Sequence, residues 1–206
     1  MIRGAVLAEG RSYQLQALLD AVFFREIPEF ELAAVIAPQE DSPALSKARS
    51  AGVAGTVVDP DLFPSTASYC KAVSNKLKDM DIDLVILADY SMPLGEVTKR
   101  FRNRIIAVCP CLIPAFENFK GDMYQVLHDR GIKIAGATAY FTAEDGGIGP
   151  IILQKAVDLE PGMSREAIYT KIREDAESVI LPEAVKLFCA NKLECDGNLV
   201  RISGNK

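Results

Sequence analysis

An α/β fold is predicted, three layers deep (α/β/α): helices on both faces of a mostly parallel sheet, with an antiparallel edge near the carboxyl terminus. Three observations predict it. Apolar runs alternate with helical stripes from residue 2 to residue 109, the pattern that builds parallel sheets. Asp83-Leu84-Val85-Ile86-Leu87-Ala88 is apolar on both faces, as a strand in the middle of such a sheet must be. Beyond Gly131 the pattern changes to two long strands joined by a glycine-rich turn. The chain reads as a single domain over residues 1–206, without internal repeats or low-complexity segments.

Residues 2–8 form the first strand, which runs into Ala8-Glu9-Gly10-Arg11-Ser12; Leu15, Leu18, Leu19 and Val22 then mark one face of a helix. A strand-to-helix turn can offer backbone N–H groups to an anion. The Gly-x-Gly-x-x-Gly spacing is missing, so a dinucleotide fingerprint is not supported. Arg11 either adds a positive charge to this cradle or is a solvated arginine at a helix start. Phe30–Ala37 is the second strand, closed by Pro38. Residues 42–51 suit a short helix entered through Pro43, and residues 52–58 a third short strand. Ser65 N-caps an amphipathic helix carrying Tyr69, Val73 and Leu77, on which Cys70 packs. The strand 83–88 ends in Asp89-Tyr90-Ser91-Met92-Pro93-Leu94, a loop on the ligand side of the sheet.

The next strand, residues 104–109, runs into the proline-fixed loop Pro110-Cys111-Leu112-Ile113-Pro114. In an α/β protein a ligand site forms outside the carboxyl end of such a strand, and here that end offers Ala107 and Cys109, with a second thiol at Cys111. Residues 115–121 form a loop and residues 122–130 a helix ended by Gly131. His128 lies in its last turn, where the helix dipole favours a cation. The structural reading of this histidine outweighs a catalytic one, because no orienting partner accompanies it in sequence. Residues 132–142 form a strand, Glu144–Pro150 a glycine-rich turn, and residues 151–159 a strand pairing back. Ser164 caps a long helix with Ile168, Ile172, Ala176 and Ile180 on one face, and Pro182 is expected to kink or break it. Two short strands joined by Asp196-Gly197-Asn198 make a closing hairpin, expected to extend the antiparallel edge.

Composition narrows the function classes. Net charge is −5 and the isoelectric point about 5.0, with both signs interspersed, so no nucleic-acid partner is expected, although a local basic pocket for one phosphate stays open. No run approaches the roughly 18 apolar residues of a membrane span, and the apolar stretch after Met1 is too short for a signal peptide. A cytoplasmic protein with no membrane partner is expected. The five cysteines are an odd number in a chain too long for a small secreted scaffold, which makes reduced thiols the default. No metal site is expected, since zinc wants about four ligands and the sequence has one histidine. Cys109 has two readings: a nucleophile or redox thiol supported by Cys111, or a small buried hydrophobe.

The order of several motifs carries a resemblance. Leu15-Gln16-Ala17-Leu18-Leu19-Asp20 comes first, then Val85-Ile86-Leu87-Ala88 with Tyr90 and Leu94, then Leu112-Ile113-Pro114-Ala115-Phe116. Gly149-Pro150-Ile151-Ile152-Leu153-Gln154 follows, and Leu181-Pro182-Glu183-Ala184 precedes a hairpin ending in Val200-Arg201-Ile202. Along nearly the whole chain this resembles the formyltransferase family, phosphoribosylglycinamide (glycinamide ribonucleotide) formyltransferases in particular. The resemblance implies a Rossmann-like formyltransferase fold, a place in one-carbon metabolism and purine biosynthesis, a small-molecule ligand, 10-formyltetrahydrofolate or a related folate as cofactor, and a monomer or homodimer.

In that family an amine attacks the formyl carbon of the folate and an oxyanion develops. An asparagine and a histidine in Asn-x-His-Pro stabilise it, and an aspartate in Asp-x-Gly-Pro organises water and helps move the proton. Donors aimed at a developing charge are commonly the largest catalytic contribution. The resemblance places Ala107, Cys109 and Gly147 at those three positions. It places Ser12-Tyr13-Gln14, beside Gly10 and Arg11, at the acceptor's phosphate loop, and Ser91, Met92, Pro93 and Leu94 at the folate-side backbone contacts. Thr66 stands where the family has an arginine near the folate tail. Pro114 is expected to be cis. Glu177 matches an acidic residue near the substrate amine, and is equally read as a solvated helix carboxylate. The expectation is a diverged member that binds a folate-like or nucleotide-like molecule, with formyl transfer by the family's mechanism lost or strongly impaired. Two alternatives stand beside it: a folate-dependent transferase with altered chemistry using Cys109, and a non-catalytic regulatory or interaction protein.

Overall fold

The computed structural model describes residues 1–10, 12–117 and 119–204. Strands β1 (Ile2–Ala8), β2 (Phe30–Ala37), β3 (Ala54–Val57), β4 (Leu84–Ala88) and β5 (Ile105–Cys109) are parallel, while β6 (Ile134–Thr142) and β7 (Ile148–Asp158) run antiparallel beside them. Their order across the sheet is β3-β2-β1-β4-β5-β6-β7. Winding therefore reverses between β1 and β4, and the crevice outside the carboxyl ends of those two strands is where an open α/β sheet places its ligand.

The central strands bury both faces. Val6 and Ala8 of β1 join one core with Leu84, Ile86 and Ala88, while Ala5 and Leu7 join the opposite core with Val85. Helices α1 (Tyr13–Phe23) and α2 (Pro43–Ser50) cover the first face, and α3 (Thr66–Asp79) and α4 (Glu96–Arg100) the second. Further along, α5 (Met123–Asp129), α6 (Arg165–Ile172) and α7 (Ser178–Cys189) add Leu127, Ile168, Ile172, Leu181 and Val185 to the first core. Each fully buried leucine or isoleucine here contributes about 1.5–3 kcal/mol. The caps follow the sequence: the Ser65 hydroxyl accepts the Ser68 N–H in a capping box, Pro43 opens α2 behind Ser42, and Ser164 caps α6. The Ile113–Pro114 bond is cis.

Three local expectations are corrected, and one element is new. The closing hairpin, β8 (Leu193–Asp196) and β9 (Leu199–Ile202), forms a separate two-stranded sheet and does not extend the main edge. Pro182 lies inside α7 without ending it; the irregular stretch is a π turn at Arg173–Glu177. That turn stops just before Ser178, whose carbonyl is the one a proline at 182 leaves without its helical N–H. Strand β7 starts at Ile148, so Gly149 and Pro150 belong to that strand, where the register shifts between Ile148 and Ile151, and not to the turn. A Cβ on Gly149 would sit 2.4 Å from the Phe141 carbonyl oxygen, so this close strand approach requires glycine. Finally α4 has no counterpart in the sequence reading: a single short turn is too brief to show periodicity.

Candidate functional site

The carboxyl ends of β1, β4 and β5 lie together at one edge of the sheet. At the β1–β4 switch point the carboxylate of Glu9 takes the donors of the loop after β4. The Ser91 N–H donates to Glu9 Oε1 at 2.7 Å, the Met92 N–H at 3.1 Å, and the Ser91 hydroxyl lies 3.0–3.1 Å from both oxygens. The Ser42 hydroxyl in turn donates to the Glu9 carbonyl. The backbone donors of the loop expected to meet a folate are thus engaged by a side chain of the protein. Leu94 is buried, and the Pro93 carbonyl accepts from the Cys70 thiol at 3.2 Å. Nothing in the sequence motifs singles out Glu9; its signal is a carboxylate placed directly after a buried strand at the switch point.

The expected phosphate loop is mostly turned inward. Ser12 is buried and its hydroxyl caps α1 by accepting the Leu15 N–H at 3.1 Å, while its carbonyl accepts from Lys47 Nζ at 2.9 Å. Gln14 is 2% exposed and its side-chain amide donates to Glu177. Tyr13 is partly exposed and Gly10 half-buried; Arg11 lies outside the described residues.

Glu177 is not a solvated carboxylate. It is fully enclosed at the end of the π turn, with Arg173 Nε 3.2 Å from its other oxygen. That contact is an ion pair without the angle of a hydrogen bond, since both atoms otherwise lack a partner. Arg173 reaches on to Asp89 Oδ1 at 2.7 Å and lies over the Tyr169 ring, 5.2 Å from its centroid. Burial pushes the Glu177 carboxyl up to about 7, against the pull of Arg173 and of the Gln14 amide. Burial works against the Arg173 charge, but Glu177 and Asp89 more than offset it and move its pKa upward. A π turn often marks a functional position in a helix; this one sets a buried carboxylate and a guanidinium against each other.

The end of β5 is different in kind. In the antiparallel pairing Ala107 lies opposite Tyr140 and Cys109 opposite Thr138, so all four share one face of the sheet. Ala107 is 4% exposed and offers a methyl group. Cys109 opens onto a cavity of about 440 Å³ whose wall includes Cys111, Phe116, Tyr124, Ile148 and Arg165. Arg165 is committed to Asp122, 2.6 Å away. The two thiols face each other with their Sγ atoms 3.6 Å apart. The contact between the thiols lowers the Cys109 pKa and raises that of Cys111, and the Cys109 thiol also lies 3.8 Å from the Cys111 carbonyl oxygen, to which it donates. Gly147 sits in the exposed turn next to Ile148, with its N–H bonded to Asp145 Oδ1 at 2.9 Å. His128 takes no part: its Nδ1 lies 2.9 Å from the Met163 carbonyl oxygen, a structural tie.

Two phenols border this face that the motifs did not indicate. Burial pushes both Tyr124 and Tyr140 up to about 12, so each keeps its proton at neutral pH and can donate. The Tyr124 hydroxyl is buried without a well-aligned partner. Strand register was the available signal for Tyr140, since it stands directly across from Ala107.

Comparison with known proteins bears on this arrangement. A family model described as formyl transferase matches residues 2–185. Phosphoribosylglycinamide formyltransferase of Haemophilus influenzae is 30% identical over 97% of this chain and 93% of its own length. The trifunctional purine biosynthetic protein adenosine-3 of Bos taurus is 29% identical over 95% of this chain, which spans only 19% of that longer protein. The crystal structure of glycinamide ribonucleotide transformylase 1 from Symbiobacterium toebii aligns with a TM-score of 0.89 at 36% identity, covering 98% of this chain and 94% of that one. A match that runs from the first strand into α7, with a relative and a solved structure covered over nearly their whole length, has one meaning: the chain belongs to the formyl transferase family.

Proposed function

We propose that this family member binds a folate-like or nucleotide-like small molecule along the carboxyl ends of β1, β4 and β5, and that formyl transfer by the family's polar mechanism is lost or strongly impaired. The observation that carries the reading is the pair Ala107 and Cys109 on β5, with Gly147 in the turn before β7, at the three positions that the resemblance assigns to stabilising an oxyanion and moving a proton. Neither a methyl group nor a glycine donates a hydrogen bond. A thiol donates weakly, and a Cys109 thiolate, which its neighbour favours, repels an oxyanion. Removal of one such donor typically costs about 10²–10³ in rate, and losses within one catalytic unit do not simply add. The phenols of Tyr124 and Tyr140 are neutral donors near that face.

The test compares the natural chain with Ala107→Asn, Cys109→His and Gly147→Asp combined. A side chain at 147 is sterically affordable, because its Cβ would meet only the tip of the flexible Asp145 side chain at 3.1 Å. Calorimetry with folates and purine-pathway nucleotides measures binding, and a formyl-transfer assay measures turnover. Binding by the natural chain is expected, with transfer at least about 10²-fold slower than in the restored variant. Rapid folate-dependent transfer by the natural chain would overturn the catalytic half of the reading. Failure to bind any folate or nucleotide would overturn the binding half.

A further inference from the structure

Cys109 and Cys111 flank Pro110 at the cavity wall with their sulfurs in contact. We propose that they are a thiol–disulfide exchange site: a dithiol that reduces a low-molecular-weight disulfide to two thiols and becomes an intramolecular disulfide itself. This activity is separate from any handling of formyl groups and does not rest on it.

Geometry makes the pair bridgeable. Residues two apart in sequence are within about 7 Å of each other, Cα to Cα, however the chain runs, which overlaps the range disulfides use. The sulfurs, 3.6 Å apart, need to close by only about 1.5 Å to reach bonding distance, within reach of side-chain rotation. The backbone behind them is pinned. The Thr138 hydroxyl donates to the Cys111 carbonyl at 2.7 Å and accepts from the Ile113 N–H at 3.2 Å, and Gln154 Nε2 donates to both that hydroxyl and the Ile113 carbonyl at 3.0 Å. The loop therefore cannot easily carry Cys111 away from Cys109.

Access assigns the roles. Both thiols line the cavity wall, but Cys109 is half-buried whereas Cys111 is 8% exposed, so an incoming disulfide meets Cys109 first. The contact with Cys111 favours the Cys109 thiolate, the form that attacks. The same contact, together with burial, raises the Cys111 pKa, and the part owed to Cys109 falls away once Cys109 is bonded to sulfur. The remaining cysteines lack this arrangement. Cys70 is buried against the Pro93 carbonyl, and burial raises the pKa of both Cys189 and Cys195.

The chemistry balances. Cys109 loses its proton to solvent and attacks one sulfur of the small disulfide. A mixed disulfide forms, the original S–S bond breaks, and the first thiolate leaves and takes up a proton. Cys111 then loses its proton and attacks Cys109 Sγ; the second thiolate leaves and is protonated. Two protein thiols are oxidised and one disulfide is reduced to two thiols, as exchange through a mixed disulfide requires.

The experiment uses the full chain, reduced, freed of reductant and then treated with glutathione disulfide at neutral pH, followed by intact mass, thiol counting and peptide mapping. The expected product has lost the mass of two hydrogens and two titratable thiols, with the loss mapped to the peptide holding Cys109 and Cys111. It should form at least about 10-fold faster than any adduct at Cys70, Cys189 or Cys195, as thiolate character dictates. Cys111→Ser should stop at one glutathione adduct on Cys109, and Cys109→Ser should show neither adduct nor mass loss at this loop. Two free thiols at 109 and 111 after the exposed Cys195 has reacted would overturn the proposal. So would an intact-protein product in which each thiol simply carries its own glutathione. Both outcomes are read on the natural chain, independently of how the variants fold.

Discussion

Around the end of β1 the polar side chains are many and are spent on one another: Gln14 on Glu177, Glu177 on Arg173, Arg173 on Asp89, and Glu9 on the Ser91–Met92 amides. Around the end of β5 the corresponding places hold a methyl group and two thiols. The first region is expensive to build, because buried charges must be desolvated and are tolerable only when fully paired. The second costs little electrostatically and leaves its reactive atoms facing a cavity. The difference teaches a division of labour: substitutions beside β1 should be read in stability, and those beside β5 in chemistry.

The largest expected effect breaks the first region at its cation. Arg173→Ala leaves Glu177 enclosed with only the Gln14 amide, and loss of one member of a buried pair typically costs about 3–5 kcal/mol. Arg173 is also what restrains the rise of the Glu177 pKa, so its removal drives that carboxyl further toward the neutral acid. The penalty should accordingly be near its full size at about pH 8 and smaller at about pH 5, where the carboxyl enters the fold protonated. Denaturant titrations at the two pH values measure it. Equal penalties at both would mean that Glu177 and Arg173 are not coupled.

The second prediction sharpens the same point with the charge kept or removed. Glu177 is raised in the folded protein, from 4.5 to about 7, so across that interval the folded state binds more protons than the unfolded one. Stability from this group is therefore fully present below about pH 4.5, falls as pH rises, and is lost above about 7. The shift corresponds to about 3 kcal/mol across the window. Glu177→Gln, which keeps an acceptor for Gln14, should flatten the profile and leave the variant more stable relative to the natural chain at high pH than at low. A natural chain that gains stability between pH 5 and 7 relative to this variant would contradict the raised carboxyl.

The contrast between the two regions also explains what was readable from sequence. The sheet and the capped helices were legible, because short apolar runs at 2–8, 30–37 and 84–88 alternate with helical stripes, and Ser42, Ser65 and Ser164 announce helix starts. Ala107, Cys109 and Gly147 drew notice by another route, the order of motifs shared with the formyltransferase family, and not from periodicity. What was hidden depends on contacts far apart in the chain. Glu177 reads equally as a surface carboxylate until the π turn and Gln14, 163 residues away, enclose it. Tyr140 becomes notable only when strand register sets it opposite Ala107, and the separation of the hairpin from the main sheet is likewise a matter of long-range pairing. Pro182 misled because a local rule about kinks was applied where the backbone takes up its irregularity one turn earlier.

The smallest expected effect lies at the switch point, where a charge from the first region closes over the ligand crevice. Glu9 is half-buried, so solvent still limits what its bonds contribute to global stability, and Glu9→Gln should cost only about 1 kcal/mol. The local consequence should be clearer. An amide accepts more weakly than a carboxylate, so the Ser91 and Met92 N–H groups lose charge-assisted partners and should exchange with solvent about 10-fold faster. Those same groups then become available to a ligand carbonyl or carboxylate, so folate binding should tighten as exchange speeds up. If Glu9→Gln accelerates exchange while affinity for every folate stays unchanged, the crevice at the β1–β4 switch point is not where that ligand docks. Recognition would then have to be sought along the β5 wall alone.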